Sequence, residues 1–176
     1  MIIDAARVAA APLTKFAGQG WRHLSPHYDP LSGEGARLHG GRFNSPGSFP
    51  VLYLCESRPC AVAELRRLGE RQAIGIAGLL PRTLYRYEVV LDRVLDLTDE
   101  AVRAEVGIGS EILIGPDWTA CQELGSILHA LGAQGVSSPS ATGVGEIIAV
   151  FVEHIGLGRI EPQLVDEWRS LDQVEN

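Results

Sequence analysis

The order of apolar and polar residues along the chain predicts short helices and strands that do not alternate regularly. Helical spacing of apolar residues and capping residues predict helices at 5–11, 57–69, 100–106, 117–131 and 165–171. Apolar runs and alternation predict strands at 20–24, 51–54, 83–91, 94–97, 146–152 and 160–164. The run at 146–152 is apolar on both faces, which is typical of a central strand. This order predicts an α+β domain with a mixed or mostly antiparallel sheet, since a doubly wound fold needs strands and helices in regular alternation.

The segment 25–50 is rich in glycine and proline, and no regular element of length fits it. A loop this long inside a compact domain is usually functional or disordered, and its embedded Arg42 and Phe43 argue against simple disorder. Arg42 follows two glycines in HGGRFN. Glycines let the backbone approach a ligand closely, and a guanidinium can hold phosphate oxygens with paired hydrogen bonds. The residues leave open that Arg42 instead pairs with a local acid such as Glu34.

Glu64 is a candidate functional acid on the helix predicted at 57–69. It follows Ala61 by three residues and precedes Leu68 by four, so it lies at the edge of the apolar face. An acid in that position needs a partner or a chemical role. The alternatives are a structural pair with Arg22 or Arg67, or simple exposure to solvent.

Two further features are weaker signals of a functional site. Arg22 follows Trp21 on a predicted strand, so its side chain points to the opposite face, toward a pocket or toward solvent. A turn carries Ser137, Ser138 and Ser140, whose hydroxyl groups are suited to binding an anion. The alternative is a plain turn that binds no ligand.

Composition and motifs exclude several classes of protein. The net charge of -7 argues against direct binding to nucleic acid, and no apolar run is long enough to span a membrane. The N-terminus has an early Asp4 and no basic stretch, so we do not expect a signal peptide, and the cytoplasm is the expected location. The 3 cysteines lack metal-ligand spacing, so buried thiols and no metal site are expected. The sequence contains no serine-hydrolase elbow, no P-loop and no dinucleotide fingerprint.

Taken together, these residues resemble the RES domain, the toxin half of bacterial toxin–antitoxin pairs, named after an arginine, a glutamate and a serine. The resemblance covers about 20–152 of one domain spanning 1–176, with 1–18 and 165–176 expected to be peripheral. It is carried by Trp21-Arg22, the blocks at 29–47, 52–54 and 61–64, Ser57, and the blocks at 117–125 and 135–151. Phe43 and Ser138 stand where the family often has tryptophan and an apolar residue.

The resemblance implies a fold like that of diphtheria-toxin-type ADP-ribosyltransferases and an enzyme that consumes NAD+ as its substrate. It implies that Arg22 and Arg42 contact the NAD+ phosphates and that Tyr53 orients the nicotinamide-ribose end. The catalytic residues would be Glu64, which supplies the carboxylate, together with Tyr53 and Arg22. The nucleotide-binding residues would be Arg22, Arg42, Tyr53, Ser140, Gly41 and Asn44, with Ser137 and Ser138 as alternatives to Ser140.

Neither the residues nor the resemblance identifies the molecule that accepts ADP-ribose. The leading hypothesis is an NAD+ glycohydrolase or phosphorylase, in which water or phosphate accepts ADP-ribose. The alternatives are ADP-ribosyl transfer to a protein and a non-enzymatic interaction domain. The resemblance also implies a partner, an antitoxin with an Xre-like DNA-binding domain, and assembly with it.

Overall fold

The computed structural model describes residues 3–176. Its strands are β1 (Thr14–Leu24), β2 (Val51–Cys55), β3 (Arg82–Asp96), β4 (Gly135–Pro139), β5 (Glu146–Phe151) and β6 (Ile160–Trp168). Its helices are α1 (Ala5–Ala10), α2 (Glu34–His39), α3 (Arg58–Arg71), α4 (Glu100–Val106), α5 (Ser110–Ile114), α6 (Thr119–Ala130) and α7 (Leu171–Glu175). Short 3-10 turns lie at Ala77–Leu79 and Val152–His154.

The sheet has the strand order β1-β2-β5-β4-β3-β6, and β1 also pairs with β3. That extra pairing joins β1, β2, β5, β4 and β3 into a ring of hydrogen-bonded neighbours. Only β3 and β4 run parallel; the other pairs are antiparallel. The predicted α+β class with a mixed sheet is therefore confirmed, and β5 is central, between β2 and β4.

Buried apolar side chains hold the helices on this sheet. The largest cluster joins Leu124 and Leu128 of α6 to Val51 of β2, Val136 of β4 and Phe151 of β5. A separate cluster packs α3 against β3, β6 and α7. These two clusters hold α6 and α3 against the sheet.

Helix α3 begins as its sequence predicts. Ser57 is the N-cap, and its side chain accepts a hydrogen bond from the Cys60 N–H. Pro59 lies in the first turn, where its missing N–H costs little. Ala61 and Leu65 are fully buried while Glu64 is half-buried, so the predicted position of Glu64 at the edge of the apolar face is confirmed.

Several predicted elements differ from the structure. The strands predicted at 83–91 and 94–97 are one strand, β3, because its first half pairs with β1 and β6 and its end pairs with β4. The helix predicted at 165–171 is wrong, because 165–168 extends β6, with Trp168 opposite Arg82. The last helix starts later, at a capping box on Ser170. The loop at 25–50 contains α2, which was not predicted.

The structure also bears on the state of the cysteines, on membrane spans and on metal binding. All 3 cysteines are free and buried, as their spacing predicted. Among residues 3–176, no helix is long and apolar enough to cross a membrane. The same residues contain no group of three or more His, Cys, Asp or Glu side chains that could hold a metal ion.

Candidate active site

A cavity of about 420 Å³ lies between α3, strands β1 and β2 and the loop that carries α2. Its ionisable and aromatic lining residues are Trp21, Arg22, His23, Arg42, Tyr53, Cys55, Glu64, Arg67, Arg71 and Trp118. Four arginines thus face a single carboxylate. In a chain with a net charge of -7, this concentration of positive charge indicates a site for an anionic ligand.

The glycines before Arg42 turn the chain sharply so that the guanidinium reaches the cavity. Gly40 has a φ of 74°, a left-handed conformation that favours glycine. Arg42 donates from Nη1 to the carbonyl of Gly115 at 3.1 Å. Burial lowers the pKa of Arg42 from its usual value. Glu34, the alternative partner considered from the sequence, pairs with Arg37 at 2.8 Å instead.

Tyr53 forms a fixed wall of the cavity. Its hydroxyl donates to Asn44 Oδ1 at 2.9 Å and accepts from the Phe43 N–H at 2.8 Å. Burial raises the pKa of Tyr53, so the phenol stays neutral. Because both hydrogen bonds of the hydroxyl stay within the protein, the part of Tyr53 offered to a ligand is its ring.

Gly41 and Asn44 do not line the cavity but lie behind it. A Cβ at Gly41 would lie 2.5 Å from the Tyr53 ring, so only glycine permits this contact. Asn44 is fully buried and donates from Nδ2 to the carbonyl of Ala36 at 2.8 Å. Both residues shape the loop that presents Arg42 and Tyr53.

Glu64 is held by a chain of hydroxyl groups from the turn after β4. Ser140 Oγ donates to Glu64 Oε1 at 2.8 Å and lies 2.7 Å from Thr142 Oγ1. Since the single hydroxyl proton of Ser140 goes to the carboxylate, Thr142 is the donor to Ser140. Of the three candidate serines, Ser140 is the one that contacts Glu64, whereas Ser138 donates to the carbonyl of Pro139. Glu64 forms no ion pair with any residue in the described part of the chain.

Arg22 joins β1 to the loop that follows it. Its Nη1 donates to the carbonyls of Pro30 at 3.3 Å and Ser32 at 3.2 Å. Tyr87 of β3 donates to the same Pro30 carbonyl at 2.8 Å. Arg22 therefore both anchors this loop and faces the cavity.

His23 also lines the cavity. Its Nδ1 is buried and has no hydrogen-bond partner within residues 3–176. Burial, followed by the charges of Arg82 and Arg22, lowers the pKa of His23 to about 3. The imidazole is therefore neutral at physiological pH.

The lining residues that the sequence did not identify as members of the site include Arg67, Arg71 and Trp118. Arg67 and Arg71 follow Glu64 on α3 by three and seven residues, so all three project from one face of the helix. That spacing was the signal that could have identified them. Trp118 lies within 5.1 Å of the Arg71 guanidinium and 5.5 Å of that of Arg42. No local pattern places Trp118 here, because it comes from the segment before α6.

Comparisons with known proteins agree on one family. The family model of the RES domain matches residues 19–172. NAD(+) phosphorylase MbcT of Mycobacterium tuberculosis H37Rv is 32% identical over 157 residues, covering 88% of this chain and 84% of that protein. Probable NAD(+) phosphorylase Rv3189 of the same strain is 31% identical over 158 residues, covering 89% and 74%.

A solved structure is also similar. A chain in the crystal structure of the M. tuberculosis MbcT–MbcA toxin–antitoxin complex superimposes with a TM-score of 0.85 at 30% sequence identity. The match covers 94% of this chain and 91% of the other. The arrangement of strands and helices described above is therefore shared with that structure over nearly the whole chain.

Proposed function

The chain belongs to the RES domain family, and on this premise we propose that it is an NAD+ phosphorylase that acts as the toxin of a toxin–antitoxin pair. The observation that carries the proposal is the contact of 2.8 Å between Ser140 Oγ and Glu64 Oε1, where Glu64 lines a cavity together with four arginines. We assign these two residues as the glutamate and the serine after which the family is named, and the arginines as the groups that bind an anionic nucleotide. The family match spans 19–172, so we also propose a single RES domain.

Binding of NAD+ is assigned to the arginines at the loop side of the cavity. The pyrophosphate of NAD+ carries two negative charges, and guanidinium groups form strong charge-assisted hydrogen bonds with phosphate oxygens. Arg22 and Arg42 each bond to backbone carbonyls through Nη1. These bonds fix the direction of each guanidinium and leave its other N–H groups for the pyrophosphate. The Tyr53 ring is assigned to the nicotinamide-ribose end, where a flat neutral surface suits stacking.

Glu64 is assigned the catalytic role. Cleavage of the bond between nicotinamide and ribose places positive charge on the ribose in the transition state. A carboxylate beside that ribose accepts a hydrogen bond from its 2′-hydroxyl and stabilises the growing charge. The bonding electron pair leaves on the nicotinamide nitrogen, which becomes neutral, so no general acid is needed. Ser140 holds the carboxylate in place for this step.

The proposed acceptor is inorganic phosphate, because the two relatives described above are named as an NAD(+) phosphorylase and a probable one. The proposed fold relationship is to ADP-ribosyltransferases of the diphtheria-toxin type. Since NAD+ is an intracellular metabolite, we place the activity in the cytoplasm. The partner that we propose is an Xre-like antitoxin, by analogy with a relative whose structure is a toxin–antitoxin complex.

The test is to express the chain in bacteria and measure cellular NAD+, with Glu64→Ala as the matched inactive variant. We expect NAD+ to fall only with the unaltered chain, and incubation of lysate with labelled NAD+ to give labelled small molecules. A labelled protein band that depends on Glu64 would instead identify a protein ADP-ribosyltransferase. Unchanged NAD+ at full expression of folded protein would refute an NAD+-consuming enzyme.

A further inference from the structure

We propose that Arg67, assisted by Arg71, binds the inorganic phosphate that accepts ADP-ribose. This inference rests on the proposed phosphorylase activity and adds a second anion site to the same cavity. Both arginines line that cavity from α3. The roles assigned above to the NAD+ molecule use neither of them.

Arg67 has no structural role that would account for its place in the wall. It is half-buried, yet within residues 3–176 its side chain forms no hydrogen bond and no ion pair. Glu64, three residues before Arg67 on α3, accepts a hydrogen bond from Ser140 and forms no ion pair with Arg67. A half-buried guanidinium with no anionic partner is costly unless a ligand supplies the anion.

Arg67 is also close to the reacting groups. It lies three residues after Glu64, a rise of about 4.5 Å along the same helix face. Burial is the main cause of the lowered pKa of Arg42. The positive charge of Arg67 also lowers this pKa, and the negative charge of Glu64 raises it. Both side chains therefore act on the guanidinium assigned to NAD+. An anion held by Arg67 is therefore next to the ribose that Glu64 stabilises.

The charges in the cavity fit two anions. Arg22 and Arg42 match the two charges of the NAD+ pyrophosphate. Inorganic phosphate carries roughly two more negative charges near neutral pH, and Arg67 and Arg71 match these. Arg71 is exposed, with its guanidinium 5.1 Å from the Trp118 ring. Arg71 is therefore placed to attract phosphate from solvent, while the more buried Arg67 holds it.

The reaction that follows is balanced without a further reactant. The bond from the ribose anomeric carbon to nicotinamide breaks, and its electron pair stays on the nicotinamide nitrogen. An oxygen of hydrogen phosphate donates a pair to the same carbon and forms the new C–O bond. The phosphate proton stays on another phosphate oxygen. The products are neutral nicotinamide and ADP-ribose phosphorylated at that carbon.

The test compares Arg67→Ala with Arg66→Ala, a neighbour on α3 that is exposed and does not line the cavity. With NAD+ saturating, we expect Arg67→Ala to raise the KM for phosphate at least about tenfold, equivalent to about 1.4 kcal/mol. The KM for NAD+ should stay within about threefold, and more product should be ADP-ribose formed with water. Arg67→Lys should recover part of the phosphate affinity, and Arg71→Ala should give a smaller increase.

A binding measurement separates the site from the activity. In the Glu64→Gln background, calorimetry with inorganic phosphate should give at least about tenfold weaker binding when Arg67 is also alanine, and no change when Arg66 is alanine. An unchanged phosphate affinity and KM, or a loss confined to NAD+, would overturn the site even if phosphorolysis occurs. If phosphate binds through Arg67 but the unaltered chain makes no phosphorylated product, the site stands and the proposed function fails. If Arg67→Ala does not fold, Arg67→Lys and Arg71→Ala provide the same comparison.

Discussion

At the residue scale, the acid in the cavity owes its position to hydroxyl groups that are remote from it in the sequence. Thr142, Ser140 and Glu64 form a directed chain that ends on Glu64 Oε1. The Thr142 hydroxyl in turn accepts from the Val144 N–H at 3.2 Å, which fixes its own direction. One carboxylate oxygen is thus engaged by Ser140, and the other accepts no hydrogen bond from residues 3–176.

Glu64→Gln tests the catalytic assignment. The amide keeps the size of the side chain and can still accept from Ser140, but it lacks the negative charge that stabilises the ribose cation. We expect the protein to fold, to bind NAD+ within about threefold of normal, and to lose at least about 100-fold in kcat, or about 2.7 kcal/mol. Calorimetry and NAD+ consumption assays provide the two measurements. A rate within about threefold of the unaltered protein would remove Glu64 from the chemistry.

Thr142→Val tests the hydroxyl chain. Valine has the same shape but cannot donate to Ser140, so the serine and the carboxylate lose their fixed direction. We expect kcat to fall by about 3- to 10-fold, in keeping with one lost hydrogen bond of about 1 kcal/mol, with the KM for NAD+ unchanged. Thr142→Ser retains the hydroxyl and should keep near-normal kcat. Equal rates in the two variants would show that the hydroxyl is not needed.

The sequence was informative where a residue's role depends on neighbours along the chain. The helical position of Glu64 follows from Ala61 and Leu68 at fixed spacing, and the fold of the loop at Arg42 follows from the glycines before it. The choice among Ser137, Ser138 and Ser140 could not be made in this way, because it depends on which hydroxyl of a distant turn meets α3.

At the element scale, the loop that carries Arg42 is held by its contact with α6. Gly125 of α6 packs so closely on Phe43 that an added Cβ would lie 1.9 Å from the Phe43 carbonyl oxygen. Gln122 of the same helix donates from Nε2 to the carbonyl of Gly41 at 2.9 Å. The position of Arg42 therefore depends on how closely α6 approaches this loop.

Gly125→Ala tests this dependence. The methyl group has to displace the backbone of the loop, because the atoms it meets belong to the Phe43 backbone and not to a flexible side chain. We expect a loss of about 1–3 kcal/mol in the free energy of unfolding by urea, together with weaker binding of NAD+ by calorimetry. Gly156→Ala is the control, because its added Cβ meets no atom within 4 Å. Normal stability and NAD+ affinity in Gly125→Ala would contradict this role of the α6 contact.

The short helices α2 and α5 were not predicted from the sequence, for the same physical reason. Helices α2 and α5 have 6 and 5 residues, too few for a helical repeat of apolar residues to stand out. The helix predicted at 165–171 was wrong for another reason. Residues 165–168 pair with β3, which is distant in the sequence, and local spacing does not reveal such a partner.

At the scale of the whole molecule, the chain is acidic while its main cavity is basic. The net charge is -7, yet the cavity has four arginines and one glutamate. That contrast could not be predicted from composition, because it depends on the fold bringing β1, the glycine-rich loop and α3 together. A cavity lined in this way concentrates positive potential and favours anionic ligands.

The lowered pKa of His23 makes the stability of the whole fold depend on pH. The pKa of His23 is lowered to about 3, mainly by burial, whereas an unfolded histidine titrates near about 6.5. Between these values the unfolded chain binds one more proton, so His23 costs stability as pH falls from about 6.5 toward about 3, by at most about 1.4 kcal/mol per pH unit.

His23→Gln tests this linkage, because glutamine does not titrate. Urea unfolding from pH 7 to pH 4 should lose stability less steeply in the variant than in the unaltered chain, with the two curves converging in slope above pH 7. The control is His27→Gln, another histidine of the same chain that does not line the cavity. Identical slopes for His23→Gln and the unaltered protein would exclude a buried neutral imidazole.

The most direct measurement of the central claim is product analysis of NAD+ incubated with the purified protein, with and without inorganic phosphate. We expect nicotinamide together with ADP-ribose phosphorylated at the anomeric carbon, formed only when phosphate is present and lost in Glu64→Gln. Free ADP-ribose formed at the same rate with or without phosphate, or NAD+ left intact, would contradict it.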